Sequence, residues 1–330
     1  MRIRAFCLLA SLTLATGCEQ APATRASIPP LPPAAGRGVD ASPGSPGAGG
    51  VEGSTGGDGA RVVRGRVPAA HAPSSVAGSR VATEGGIKPG DAWRQLDRSL
   101  SRYLRQRPGR AAAAVYDRTS GARYDYGEDE HFLLASVAKV DILLALLLKA
   151  QREHRQVAGW ERSLATSMIR RSDNSSAHRL YERVGGQGGL KRTLRGLGIR
   201  DTWPGSGYYW GSTRSFPSEQ VEVLDRLTDA GGPLTAVNRK LAIRLMSTVV
   251  REQRWGVGAL DRHAQVKNGW LPARVHGGLW TVNSVGRLTV GGHELLVAVL
   301  SDHSPSMGAG ISTVEQVARM VVRGARAAAR

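Results

Sequence analysis

The chain has 330 residues and a formal net charge of +18, with 45 lysines and arginines against 27 acidic residues and only two cysteines. That length suits one large domain or two ordinary ones, and the cysteine count excludes a disulfide scaffold and a cysteine-based zinc site. The basic residues are dispersed and accompany no nucleic-acid module; such a charge favours anionic lipid headgroups or envelope polymers, or reflects an arginine bias over a solvated surface.

The amino terminus reads as an export signal. Arg2 and Arg4 give a basic start, residues 5–15 form an apolar run too short for a stable span, and Ala15, Thr16 and Gly17 lead into Cys18. The stretch resembles a bacterial lipobox. That implies a signal over residues 1–18, lipidation at Cys18, and a lipid-anchored protein on the outer face of the cell membrane, extracellular or periplasmic. An ordinary secretory signal would export the chain equally. Cys7 would leave with the signal, so Cys18 has no partner for an intramolecular disulfide. Residues 19–90 are rich in Pro, Gly, Ala and Ser, cannot bury enough surface to offset ordering entropy, and are expected to form a flexible tether.

The folded domain is expected over residues 91–330. Asp91 is a plausible N-cap for a helix with Trp93, Leu96, Leu100 and Leu104 at helical spacing, ended by Pro108 and Gly109. Residues 111–116 and 123–126 flank a turn and read as a hairpin. The stretch 132–151 follows, apolar nearly all round from Val140 onward, which predicts a helix buried on every side. It is too short to span a membrane. Further helices are predicted over 161–170, 175–184, 190–197, 218–230 and 236–251, with a loop rich in Gly and aromatics at 201–215. Strands are predicted over 263–267, 280–290 and 294–300. A final helix over 313–325 turns Val314, Val317, Val321 and Val322 inward. Two early strands and three late ones predict an α+β fold: one antiparallel sheet flanked by helices, with a mostly helical lobe.

Three short motifs occur in order. Ser136 and Lys139 stand three apart at the mouth of the buried helix, on one face if helical. An inward-facing lysine there is costly without a partner or a task. Ser172, Asp173 and Asn174 precede a helix, where each is also an ordinary cap. Lys267, Asn268 and Gly269 end a predicted strand, and Asn-Gly is also a common hairpin turn.

Taken together, these motifs resemble those of the serine β-lactamases and penicillin-recognising D,D-peptidases, nearest to the class A type. The resemblance covers residues 91 to 330 and implies a five-stranded antiparallel sheet beside an all-helical lobe. It implies acyl transfer through an acyl-enzyme on Ser136, with Lys139 as base once its pKa falls, Ser172 as proton relay and Lys267 as carboxylate anchor. It further implies substrate binding by Asn174, Asn268 and Gly269, with the backbone N–H groups of Ser136 and Trp270 as the oxyanion hole. The implied substrates are β-lactams or D-Ala-D-Ala-like wall peptides.

Three departures bear on turnover. The loop at 201–215 contains no glutamate, where class A enzymes carry the one that positions the deacylating water; Glu219 lies beyond it. Deacylation is therefore expected to be slow unless another group activates water. Asn268 stands where Thr or Ser is usual, and its amide could still donate to a carboxylate. Only 36 residues separate Ser136 from Ser172, which predicts a trimmed helical lobe and an open site. The eight histidines show no pair at ligand spacing, so neither a metal nor an organic cofactor is expected. The glycines at 185–189 follow a helix and read as a loop, and no Gly-x-Ser-x-Gly elbow offers a rival nucleophile. The alternatives left open are a wall-binding or β-lactam-sensing protein without turnover, and an esterase or amidase of another substrate class.

Overall fold

The computed structural model describes residues 89–329. The signal at 1–18, with Cys18, and the linker as far as residue 88 lie outside the described residues. Helix α1 (Pro89–Leu104) leads into strands β1 (Arg110–Asp117), β2 (Arg123–Tyr126) and a two-residue β3 (Phe132–Leu133). A 3-10 turn (Ala135–Val137) then opens α2 (Ala138–Arg152), followed by α3 (Gly159–Arg170), α4 (Asn174–Arg183) and α5 (Gly186–Gly196). After a loop come β4 (Arg214–Ser215), α6 (Pro217–Thr228) and α7 (Ala236–Ser247). The chain closes with β5 (Gln265–Pro272), β6 (Trp280–Val290), β7 (His293–Asp302) and α8 (Met307–Ala328).

Five strands pair antiparallel in the order β2-β1-β7-β6-β5, which leaves β5 at an edge. Side chains of a strand alternate between faces, and here both faces are covered. Ala112 and Ala114 of β1, with Leu296, Ala298 and Leu300 of β7, join the core under α2 and α6. Ala113 and Val115, with Leu295, Val297 and Val299, join a second core under α1 and α8. Burial on both sides is why β7 reads as a continuous apolar run.

Helix α2 is the centre of the first core. Only Lys149, Gln151 and Arg152 at its end escape burial. Among the described residues no helix is long and apolar enough to cross a membrane. One polar group is trapped in α2 besides Lys139. Asp141 is fully buried, and neither of its oxygens has a hydrogen-bond partner. Desolvation raises its pKa well above the usual carboxylate range, opposed by the nearby Gln220 side chain and reinforced by the charge of Glu219, which favours the neutral acid. The two layers are tied by Arg118, just past β1, which donates to Asp225 on α6 and to Glu294 on β7.

Three expectations change in the structure. The glycines at 185–189, expected as a loop, supply the N-cap and first turn of α5. Residues 132–137 are a short strand and a 3-10 turn, so the buried helix starts two residues after Ser136; β3 pairs with β4 across the 201–215 loop. Strand β5 extends to Pro272, five residues beyond the predicted end, so Asn268 and Gly269 are extended chain in register with Ser284 and Asn283 and form no turn.

Truncating Leu144, fully buried in α2, should test how far this helix carries the domain. Leu144→Ala should cost about 2–5 kcal/mol in urea unfolding, with an unchanged denaturant slope.

Candidate active site

Ser136 sits in the 3-10 turn just ahead of α2, where the fold holds the backbone in place from two sides. Asn283 on β6 is fully buried and donates to the carbonyls of Leu133 and Leu134, at 2.7 and 3.1 Å, while its own oxygen accepts from Ser301 N–H at 2.9 Å. From the other side, Gly269 of β5 lies against the turn. A Cβ on Gly269 would fall 2.6 Å from the Leu134 oxygen and 2.8 Å from the Ser136 nitrogen. Ala135, immediately before Ser136, adopts φ +49°, and Ser172 adopts φ +60°. Both conformations are uncommon for residues with a Cβ.

Lys139, one residue into α2, points into the junction of the lobes and is buried. Its Nζ lies 3.0 Å from Ser136 Oγ, 2.5 Å from the Ser172 carbonyl, 3.0 Å from Ser172 Oγ and 2.8 Å from Asn174 Oδ1. Lys267 on β5 is likewise buried, with its Nζ 3.0 Å from the same Ser172 Oγ and 2.6 Å from the Asn268 carbonyl. Two amines therefore converge on one hydroxyl. Desolvation brings the Lys139 pKa down to about 7, opposed only by the charge of Asp173. Desolvation and the nearby Lys139 push Lys267 well below the ordinary lysine range.

The contacts of Lys139 constrain its protons. The Ser172 carbonyl and the Asn174 amide oxygen can only accept, so they take two N–H bonds. The remaining tetrahedral direction is shared by the two serine hydroxyls. It holds a third N–H in the ammonium form and a lone pair in the amine form. In the amine form it can accept the Ser136 proton, and a pKa near 7 makes that form abundant at neutral pH.

Above Lys139 lies the loop at 201–215. The Trp210 ring sits 4.9 Å from the ammonium in a cation–π contact, and Gly211 rests on the backbone of Ala135. Tyr181 O–H donates to the Gly205 carbonyl, Thr213 Oγ accepts from Gly205 N–H, and Leu134 N–H donates to the Thr213 carbonyl, which fix the loop. Glu219 stands outside: its carboxylate accepts from the N–H groups of Arg200 and Asp201 and from the Thr202 hydroxyl. No carboxylate hydrogen-bonds to Lys139 among the described residues. The cleft has a volume of about 460 Å³ and is lined by Ser136, Asn174, Tyr208, Trp210, Trp270 and Arg274, among others.

Ser136, Lys139, Ser172, Lys267, Asn174 and Gly269 thus lie together, and Trp270 lines the same cleft. Asn268 does not fit the substrate-binding role expected of it. Successive side chains on β5 face opposite ways, so the neighbour of Lys267 turns from the cleft. Its amide donates to the carbonyls of Gln253 and Trp255, both at 3.0 Å. Asn174 also differs in detail, because Lys139 occupies its amide oxygen and leaves the amide nitrogen for a ligand. The sequence reading missed Asn283 and Trp210. A lone Asn inside an apolar strand was a signal for the first; the loop's many aromatics hid the second.

Solved structures of similar fold include β-lactamases, among them a class A enzyme. TLA-1 extended-spectrum β-lactamase aligns with a TM-score of 0.64 and 16% identity, covering 71% of this chain and 99% of that one. A class A β-lactamase from Bacteroides cellulosilyticus DSM 14838 gives 0.63 and 18%, with 73% and 99% coverage. A β-lactamase from Chitinophaga pinensis DSM 2588 gives 0.63 and 16%, with 70% and 99% coverage. By sequence, the chain is 28% identical over 236 residues to a protein of Mycobacterium tuberculosis H37Rv and of Mycobacterium bovis named "Putative lipoprotein LppW", covering 67% of this chain and 74% of that protein. No family model matches the sequence.

The contact between β5 and the turn is directly testable. Gly269→Ala should destabilise the domain by about 1–3 kcal/mol in urea unfolding, the usual cost of overpacking. Gly196→Ala, where a Cβ meets nothing within 4 Å, should leave stability equal or higher. Strand order, the lobe beside the sheet and these structural likenesses agree: the chain has the class A β-lactamase fold.

Proposed function

We propose that the protein is an exported serine hydrolase that forms an acyl-enzyme on Ser136 with a β-lactam or a D-Ala-D-Ala-like wall peptide. The observation that carries this reading is the chain of contacts linking the Ser136 hydroxyl, the Lys139 amine, the Ser172 hydroxyl and the Lys267 amine, with Ser136 at the edge of the cleft. Lys139 as amine takes the Ser136 proton while Oγ attacks the carbonyl, and the backbone N–H groups of Ser136 and Trp270 hold the developing oxyanion. Ser172 passes a proton to the leaving nitrogen; Lys267 donates to its oxygen, and its own O–H is free to point elsewhere. Lys267 anchors the substrate carboxylate, and the Asn174 amide nitrogen and the backbone at Gly269 position the acyl side. Residues 1–18 act as the signal, Cys18 carries the lipid, and residues 19–90 tether the domain of residues 91–330 at the outer face of the membrane; the name LppW on the mycobacterial relative supports that placement.

Deacylation is slow in this reading, because the loop above Lys139 presents Trp210 where a water-activating carboxylate would be useful. The same observation favours a second reading, a sensor or wall-binding protein whose adduct persists without turnover.

Incubation with a fluorescent penicillin should label the wild-type protein covalently, and Ser136→Ala should abolish the label; labelling that survives removes Ser136 from its role. Lys139→Met should slow acylation by about three orders of magnitude or more, the range of a lost proton acceptor. Acylation should rise with pH through about 7, as Lys139 loses its proton, and reach a plateau above. A flat profile in the wild type would assign the proton transfer to another group. Intact-protein mass spectrometry during nitrocefin exposure separates turnover from a persistent adduct.

A further inference from the structure

We propose that His276, Asp302 and His303 form a binding site for a borderline transition-metal dication such as Zn²⁺. The site lies beside the candidate active site and is independent of the acyl-enzyme reading. His276 ends a short 3-10 turn between β5 and β6, Asp302 is the last residue of β7, and His303 follows it. The sequence keeps 26 positions between the two histidines, which is why no ligand spacing shows in it; pairing of β6 with β7 closes the gap.

One ligand atom from each residue lies within 4.8 Å of the other two. His276 Nε2 stands 3.7 Å from Asp302 Oδ2, His303 Nδ1 stands 2.8 Å from Asp302 Oδ1, and the two rings are 4.1 Å apart at a tilt of 50°. Tetrahedral zinc with bonds of about 2.0–2.1 Å sets its ligand atoms about 3.4 Å apart. To reach that spacing His303 exchanges its Nδ1 hydrogen bond to Asp302 Oδ1 for a bond to the metal, a change that its 41% exposed side chain can accommodate.

Two further features point to a ligand. His276 Nε2 is buried and has no hydrogen-bond partner. The third residue is already oriented as metal sites orient their carboxylates, by an outer partner: Arg110 Nε and Nη2 each donate to Asp302 at 2.8 Å. Asp302 retains lone pairs toward the rings. Charge also permits a cation. Arg110 is shared between Asp302 and Glu130, so that trio carries a net negative charge, offset by Arg214 on the rim of the groove. The backbone at the site is fixed: His303 adopts φ +58°, Ser304 and Trp280 exchange both backbone hydrogen bonds, and a Cβ on Gly109 would fall 2.4 Å from the Asp302 carbonyl.

The groove over the three residues has a volume of about 530 Å³, and Leu133 and Val275 line both it and the active-site cleft. An ion there keeps one coordination position for water or for an anionic group of a bound molecule.

The test uses the full-length protein, stripped with EDTA and titrated with Co²⁺, followed by visible absorption, and with Zn²⁺, followed by calorimetry. The expected result is one equivalent bound and tetrahedral Co²⁺ bands that Zn²⁺ displaces. His276→Ala and His303→Ala should each weaken binding at least about 10- to 100-fold, while His263→Ala, outside the cluster, should leave it unchanged. Circular dichroism of His303→Ala confirms the fold, since that side chain is half exposed. Absence of saturable binding, or binding that survives the double His276→Ala, His303→Ala variant, overturns the proposal.

Discussion

Two buried amines set the terms for this molecule. Lys139 and Lys267 come from opposite lobes, yet both nitrogens reach the Ser172 hydroxyl at 3.0 Å. Two ammonium groups that close in a dry cleft repel each other, and desolvation already disfavours each charge. The pair therefore gives up protons that isolated lysines would keep. One act of burial thus biases both amines toward their uncharged forms, and the packing of α2 and β5 enforces it. Helix α2 is sunk in the core, Ser172 accepts an uncommon backbone conformation to offer both its oxygens to Lys139, and β5 runs along the sheet edge with Lys267 turned inward.

Positioning of Ser136 depends on contacts that carry no charge. Asn283 holds the preceding carbonyls, and the bare Cα of Gly269 lets β5 approach the turn. The fold is kept at 16–18% identity to the β-lactamases of known structure. Across the cleft lies a loop whose indole ring covers the Lys139 amine. The residues around Ser136 are thus held by the sheet and α2, while the side of the cleft that faces them is a loop, the kind of element most free to vary.

Much of the architecture was legible because its patterns are long. The apolar run of α2, the valine stripe of α8 and the late strands all announce themselves by periodicity, and the three motifs fixed which turns face the cleft. What escaped was set by contacts distant in the chain. The Asn-Gly pair at 268–269 reads locally as a turn, but pairing with β6 holds it extended and sends the Asn268 amide to the far face. The start of α2 was misplaced because residues 132–137 are as apolar as the helix, and only the pairing of β3 with β4 makes them a strand and a turn. Trp210 looks like one more loop aromatic until the fold sets it over Lys139. His276 and His303 are far apart until β6 and β7 pair.

Asp141 gives the domain an unusual response to acid and base. Its acid is neutral in the folded chain but ionises near 3.8 once unfolded, so its burial weighs against the fold increasingly as pH climbs past that value. The two lysines act in the mirror sense: their unfolded forms are charged below 10.5, and the penalty for hiding them deepens as pH descends toward their folded values. For Lys139 the burden is complete only once pH falls below about 7, so the amine beside the Ser136 hydroxyl is half titrated where its cost to the fold is close to full.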